Sequence, residues 1–267
     1  MSTKPLTEHL VQITRFGFVN AYLVREDDGL TLVDTTLPRS ADALIAAARE
    51  AGGSIRRIAL THGHGDHVGS VDQLRQRLGP GVQVLLGEVD ARVLAGEWVA
   101  PAAAPVVALP PAEGTGPAGT DAGTGRAGTD AGTGRAGAAP GTGKPTGSWP
   151  KLKTVVDVRL RHGDQVGSLE VIDSPGHSPG HVAFRDTRDG TVIAGDVFTS
   201  IGGVATTSAR NVWFPVATMA TFDRAENLDS ARLLRALEPP LLVVGHGPAV
   251  HGPGAAMDRA IARGAST

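Results

Sequence analysis

Residues 58–70 read IALTHGHGDHVGS, and the spacing of the polar residues inside that stretch decides how the chain must fold around it. His62, His64, Asp66 and His67 stand at i, i+2, i+4 and i+5, a pattern that neither a regular strand nor a regular helix gathers on one face. The backbone must therefore change conformation between them. Residues 58–60 form a short apolar run of strand type, and residues 68–78 carry apolar side chains at helical intervals. The four polar side chains thus fall where strand passes into helix, with Gly63 and Gly65 giving the turn backbone freedom and room for close approach. A turn of merely solvated histidines is the bland alternative. Three imidazoles and a carboxylate within six residues make it the poorer one. Neutral imidazole and carboxylate suit zinc, iron or manganese.

Working outward, residues 11–24 hold two β-rich pieces, VQITRF and VNAYLV, and LTLV follows at 30–33, which together predict an opening antiparallel meander. Asp34 ends the third strand, where a cap and a residue that orients a ligand are equally good readings. Ser40 predicts the N-cap of a helix over 41–51. A strand over 55–61, a helix over 67–78, a strand over 82–86 and a short helix over 88–95 continue the alternation, which is the mark of helices laid against a sheet.

The composition narrows the function. With 25 basic and 27 acidic residues the formal charge is -2, so electrostatics make no case for nucleic acid or a membrane as principal partner, and a small-molecule substrate is expected. Cysteine is absent, which excludes disulfides and thiolate ligands and leaves metal bonds to His, Asp, Glu or water. The first residues, MSTKPLTEHLVQITRF, lack an apolar leader core, and no run of about 18 apolar residues is present, so a cytoplasmic protein is expected.

Residues 101–150 break the pattern. They are rich in Gly, Ala, Pro and Thr, and GTDAGTGRA occurs twice in tandem at 119–127 and 128–136. Such a segment buries too little apolar surface to offset its ordering entropy, and is expected to be a disordered insert in one domain spanning 1–267. Order is predicted to resume near Thr154, with strands over 155–160 and 165–172, a hairpin over 182–194, a helix over 219–237, a strand over 241–244 and a short helix over 258–262. His177, Asp196 and His246 then sit at predicted strand ends beside glycine, repeating the placement of the first four. His181 is assigned a structural or orienting role, while His9, His162 and His251 are left as surface residues. Trp98, Trp213 and Phe214 lie in predicted loops near the convergence point.

HGHGDH, SPGHSPGH, GDVF and VVGHGP, in that order, resemble the metallo-β-lactamase superfamily on both sides of the insert. The resemblance implies an α/β fold, a four-layer αβ/βα sandwich of two mixed sheets flanked by helices. It also implies that His62, His64 and His177 bind one metal and Asp66, His67 and His246 a second, with Asp196 between them. Two zinc ions, a hydroxide made from water, and Asp66 as the residue that orients it or passes a proton are then expected, acting on an ester, thioester or lactone. The ligand set looks like glyoxalase II, although the 21 residues after His246 are too few for that enzyme's glutathione-binding helices. Lactone-cleaving relatives carry a tyrosine shortly after the bridging aspartate, where this chain has Thr199. The missing cysteine excludes thiolate-containing β-lactamase sites. Similar motifs in persulfide dioxygenases would use one Fe2+ on His62, His177 and Asp196, and a non-catalytic scaffold is the third alternative.

Overall fold

The first strands form the meander that their β-rich runs predict, in a computed structural model that describes residues 1–97 and 144–266. Strands β1 (Ser2–Pro5), β2 (Leu10–Arg15), β3 (Val19–Glu26) and β4 (Gly29–Val33) pair antiparallel in sequence order. After helix α1 (Ala41–Glu50), β5 (Ile55–Leu60) joins β4 in parallel. Helices α2 (Gly65–Val68) and α3 (Val71–Leu78) lead to β6 (Gln83–Gly87), and α4 (Glu88–Leu94) follows. β7 (Val158–Leu160) completes a seven-stranded sheet.

The second half supplies β8 (Gln165–Val166), β9 (Leu169–Asp173), β10 (Val182–Asp186), β11 (Val192–Ile193), the small hairpin β12 (Phe198–Thr199) and β13 (Ala205–Thr206), helices α5 (Pro215–Ala220) and α6 (Arg224–Ala236), then β14 (Leu241–Val243), β15 (Val250–His251) and α7 (Gly254–Ala265). Six of these strands make a second sheet in the order β15-β14-β11-β10-β9-β8.

Alternation along the strands explains the layering. In β5, Ile58 and Leu60 pack outward with Leu44 of α1 and Leu74 of α3, whereas Ala59 faces inward. In β14, Leu241 and Val243 face inward and Leu242 outward, toward Leu234 of α6 and Met257 of α7. Phe184, Tyr22, Leu85 and Ile193 fill the space between the sheets. Successive side chains on a strand point to opposite faces, so each sheet is covered twice and the layers run helix, sheet, sheet, helix.

Four expectations are corrected. The helix predicted over 67–78 is broken after Val68, because Gly69 lies against the Pro38 ring with no room for a side chain and the Ser70 N–H donates to the Thr35 hydroxyl at 3.1 Å. The helix predicted over 219–237 is likewise two helices, the second capped by Asp223, whose carboxylate accepts the Glu226 N–H at 3.0 Å. Ser40 precedes α1 but spends its hydroxyl on the Leu37 carbonyl at 2.7 Å and caps nothing. The insert expected over 101–150 lies outside the described residues up to 143, but 144–150 is part of the fold and packs on the candidate site. Among the described residues no helix is long and apolar enough to cross a membrane.

Candidate metal centre

Four connections deliver the seven candidate ligands to one place. The turn after β5 brings His62 and His64, α2 carries Asp66 and His67, the β9–β10 loop carries His177, and the turns after β11 and β14 bring Asp196 and His246. The sheets are stitched together there, since the Val182 N–H donates to the Thr61 carbonyl at 2.9 Å. Asn20 of β3 holds the last loop: its amide donates to the carbonyls of Val244 and Gly247 at 2.9 and 2.7 Å. Gly245 must be glycine, since a side chain there would collide with Asp196. Gly63 is needed for space rather than for an unusual dihedral, because the Trp149 ring occupies the position next to it, while Gly65 sits more loosely beside Ser148.

His62 Nε2, His64 Nδ1 and His177 Nε2 converge, with His64 Nδ1 3.1 Å from each of the other two. Asp66, His67 and His246 form a second group, with Asp66 Oδ2 3.3 Å from His246 Nε2 and 3.9 Å from His67 Nε2. Asp196 reaches both. Its Oδ2 lies 3.4 Å from His177 Nε2 and 3.2 Å from His246 Nε2, and its Oδ1 lies 3.5 Å from His67 Nε2.

Hydrogen bonds on the far sides of the rings decide what the near sides can do. The Thr61 hydroxyl donates to Asp34 Oδ2 at 2.9 Å and so accepts from His62 Nδ1 at 3.0 Å. The Thr221 hydroxyl donates to the Ala217 carbonyl at 2.9 Å and accepts from His177 Nδ1 at 3.1 Å. His64 Nε2 donates to the Thr146 carbonyl at 3.0 Å. Each ring therefore turns a bare lone pair toward the other two, an arrangement that repels unless a cation sits among them. Zinc–nitrogen bonds of about 2.0–2.1 Å put tetrahedral ligands roughly 3.3 Å apart, close to the spacing here. His67 Nε2 and Asp196 Oδ1 are buried without a hydrogen-bond partner among the described residues, which fits the same explanation. The residues present fit divalent metal.

Electrostatics divide the groups. Burial drives the imidazolium forms of His62 and His177 well below the ordinary histidine range, keeping both neutral. Burial also opposes charge on His67 and His246, but the Asp196 carboxylate outweighs it, holding His67 well above the ordinary range and His246 up at about 9. Burial raises Asp196 and Asp66, yet the histidine charges beside them prevail and hold both carboxyls below their usual range. Without metal, protons on His67 and His246 balance the carboxylates, and metal binding must expel them.

Further residues hold this arrangement. Asp34, left-handed at φ +60°, accepts the Thr61 N–H at 2.8 Å and His67 Nδ1–H at 2.9 Å, which makes it an orienting residue rather than a cap. His181 accepts the Asp196 N–H at 3.0 Å and bonds the Ser174 hydroxyl at 2.9 Å, so it places Asp196 and is not itself turned to the centre. Asp90 was not legible in the sequence: an acidic residue in the first turn of a helix carries no signal beyond capping. It is fully buried and accepts the Gly63 N–H at 2.9 Å and the Ser178 hydroxyl and Gly180 N–H at 2.6 Å, tying two ligand loops together.

The opening lies over Asp66, the most exposed of the seven with 36% of its side chain accessible. Aromatic rings flank it. Phe214 lies 4.7 Å from the His246 ring and 5.9 Å from Phe18, and Trp149 stands edge-on to His64 at 5.2 Å. Of the three expected aromatics, Phe214 is at the site, Trp213 is 73% exposed and covers Gly202, and Trp98 lies outside the described residues. Phe18 and Trp149 were missed. Trp149 had one available signal, the return of large side chains at SWPKLK after the small-residue stretch.

Comparison with known proteins bears on this geometry. The metallo-beta-lactamase superfamily model matches residues 14–246. The uncharacterized protein YobT of Bacillus subtilis is 34% identical over 91% of this chain and 89% of its own length. The probable metallo-hydrolase YybB of the same organism is 26% identical over 92% and 91%. A hydroxyacylglutathione hydrolase of Rhodopseudomonas palustris is 26% identical over 68% of this chain and 48% of its own length. Among solved structures, a metallo-beta-lactamase from Pontibacter korlensis superposes with TM-score 0.65 at 14% identity over 100% of this chain and 99% of its own. TTHA1623 in a di-iron-bound form does so with TM-score 0.57 at 24% identity over 90% and 93%. With the two-sheet sandwich and the clustered His and Asp residues already in view, these matches establish that the chain belongs to the metallo-beta-lactamase superfamily.

Proposed function

We propose that the protein is a hydrolase using two zinc ions to cleave an ester, thioester or lactone-type bond in a small molecule. The observation that carries this reading is Asp196, whose two oxygens face histidines of both groups at 3.2–3.5 Å. A carboxylate in that position neutralises charge between two cations. His62, His64 and His177 would hold one and Asp66, His67 and His246 the other. Two such cations supply Lewis acidity toward a carbonyl oxygen and bring the pKa of water from about 15.7 toward about 7.

The chain's own residues do the rest. Asp66, ionised and at the opening, is placed to accept a hydrogen bond from the attacking water and so orient it. Phe18, Phe214 and Trp149 exclude water and favour an uncharged, apolar substituent on the substrate. The Thr199 hydroxyl is committed to the His246 carbonyl at 3.1 Å, which disfavours giving it the role of the lactonase tyrosine. The likeness to a hydroxyacylglutathione hydrolase is a reason to include thioesters among the substrates tested.

The mononuclear iron reading, with His62, His177 and Asp196, leaves His67 Nε2 buried and without a hydrogen-bond partner among the described residues, and is the weaker for it. Metal analysis of protein purified without added metal, with a hydrolysis screen over aryl esters, thioesters and lactones, tests the proposal. Near two zinc per chain with turnover supports it; one iron with oxygen consumption, or no metal, overturns it. Because a similar fold is known in a di-iron form, iron must be counted beside zinc.

A further inference from the structure

Two of the three converging histidines are oriented by hydroxyls fixed at the ends of regular elements, Thr61 after β5 and Thr221 after α5. His64 is oriented differently. Its Nε2–H donates to the Thr146 carbonyl at 3.0 Å, and the Trp149 indole N–H donates to that same oxygen at 2.7 Å. The Thr146 hydroxyl is tied to the Ala220 carbonyl at the end of α5 at 2.6 Å, and the Gly65 N–H donates to the Ser148 carbonyl at 2.9 Å. The Trp149 ring lies on Gly63 and edge-on to His64, and Gly147, at φ +84°, passes so close to His64 that a side chain there would overlap it. The segment is thus hydrogen-bonded to Gly65, to His64 itself and to α5, and its Trp149 ring lies against Gly63.

We infer that residues 146–149 are a positioning strap for His64, setting its tautomer and ring orientation and so the metal affinity of the group formed by His62, His64 and His177. The carbonyl of Thr146 forces the proton onto Nε2 and leaves Nδ1 bare. The Trp149 ring stops the imidazole from turning away, and the bond to Ala220 keeps the strap at a fixed height above the site. Among the described residues no hydrogen bond or ring pair joins it to Asp66, His67 or His246, and the site they would form is expected to change less. This rests on the reading of His64 as a ligand.

The test uses the full chain stripped of metal, titrated with zinc against a chromophoric chelator and separately with cobalt(II), whose visible bands report coordination. Partners of a ligating histidine are commonly worth 10–100-fold in metal affinity. Trp149→Ala is expected to weaken one of two zinc sites by about that factor and to change the cobalt bands, with the other site changing less. Trp149→Phe, which keeps the ring but not the N–H, should recover most of the loss. Thr146→Val, which keeps the carbonyl but not the tether to Ala220, should fall between. If Trp149→Ala fails to fold by circular dichroism, Thr146→Val decides. Wild-type zinc affinity and cobalt bands in Trp149→Ala and Thr146→Val, with His64→Ala losing a site, would overturn the strap alone. Wild-type binding by His64→Ala would overturn the reading of the centre on which it rests.

Discussion

Asp34 Oδ2 lies 2.9 Å from His67 Nδ1, and the same carboxylate takes both the N–H and the hydroxyl of Thr61. One buried acid therefore orients His67 directly and His62 through Thr61. Asp34→Asn replaces one acceptor by an amide donor facing groups that also donate. We expect metal affinity to fall about 10–100-fold by chelator competition. An unchanged affinity would remove Asp34 from the orienting role.

Asp90 makes stability depend on pH. Burial pushes its carboxyl up to about 6 from an ordinary value of 3.8, against the pull of three hydrogen bonds. With the folded value above the unfolded one, the native state holds the proton more tightly. That contribution is complete below about pH 4 and is lost as pH rises through about 6, on the order of 3 kcal/mol in all. Urea unfolding of Asp90→Asn should lack this decline between pH 4 and 7, and Asp90→Ala, which orphans three donors, should be less stable at every pH. A wild-type slope in Asp90→Asn would contradict the assignment.

Phe214 stacks beside His246 and touches Phe18 at the opening. Removing its ring should weaken substrates with bulky apolar groups by about 10-fold in KM, since burying such a side chain is worth roughly 1.5–3 kcal/mol. Turnover at saturation should stay within about 3-fold, as expected when an interaction serves ground and transition states equally. A series of esters with growing acyl chains compares Phe214→Ala with the wild type; equal chain-length dependence in both would count against this wall.

Tyr22 is the sole tyrosine, and its hydroxyl is buried, donating to the Val244 carbonyl at 2.6 Å. That carbonyl also receives the Asn20 amide at 2.9 Å, so Tyr22→Phe leaves it partnered. The cost should be about 0.5–1.5 kcal/mol in stability. Turnover should be unchanged at any pH, and a drop of tenfold or more would assign Tyr22 a part in the reaction.

Much of the molecule was legible before any coordinates. HGHGDH broke both regular periodicities at once, and a stretch that does so at a strand end has few structural uses. The β-rich runs VNAYLV and LTLV, parted by a turn-like stretch, predict the opening antiparallel strands. Helix ends were harder. Val68 and Val71 keep a helical spacing, but the break between them comes from Pro38 and Thr35, which arrive from another part of the chain. Trp149 was hidden for the same kind of reason. Composition assigned it to the small-residue segment, whereas a contact with Gly63, far away in sequence, places it in the fold.

What the order of amino acids determined by itself was the inventory: which side chains carry lone pairs or charge, and which strands and loops present them. Those are local properties, written in spacing and residue type. The tertiary structure alone decided which nitrogens of His62, His64 and His177 are bare, that Asp90 joins two loops, and that the segment at Thr146 bonds His64. Each depends on a hydrogen bond or a ring contact between residues remote in the chain, and no local pattern records the distance between them.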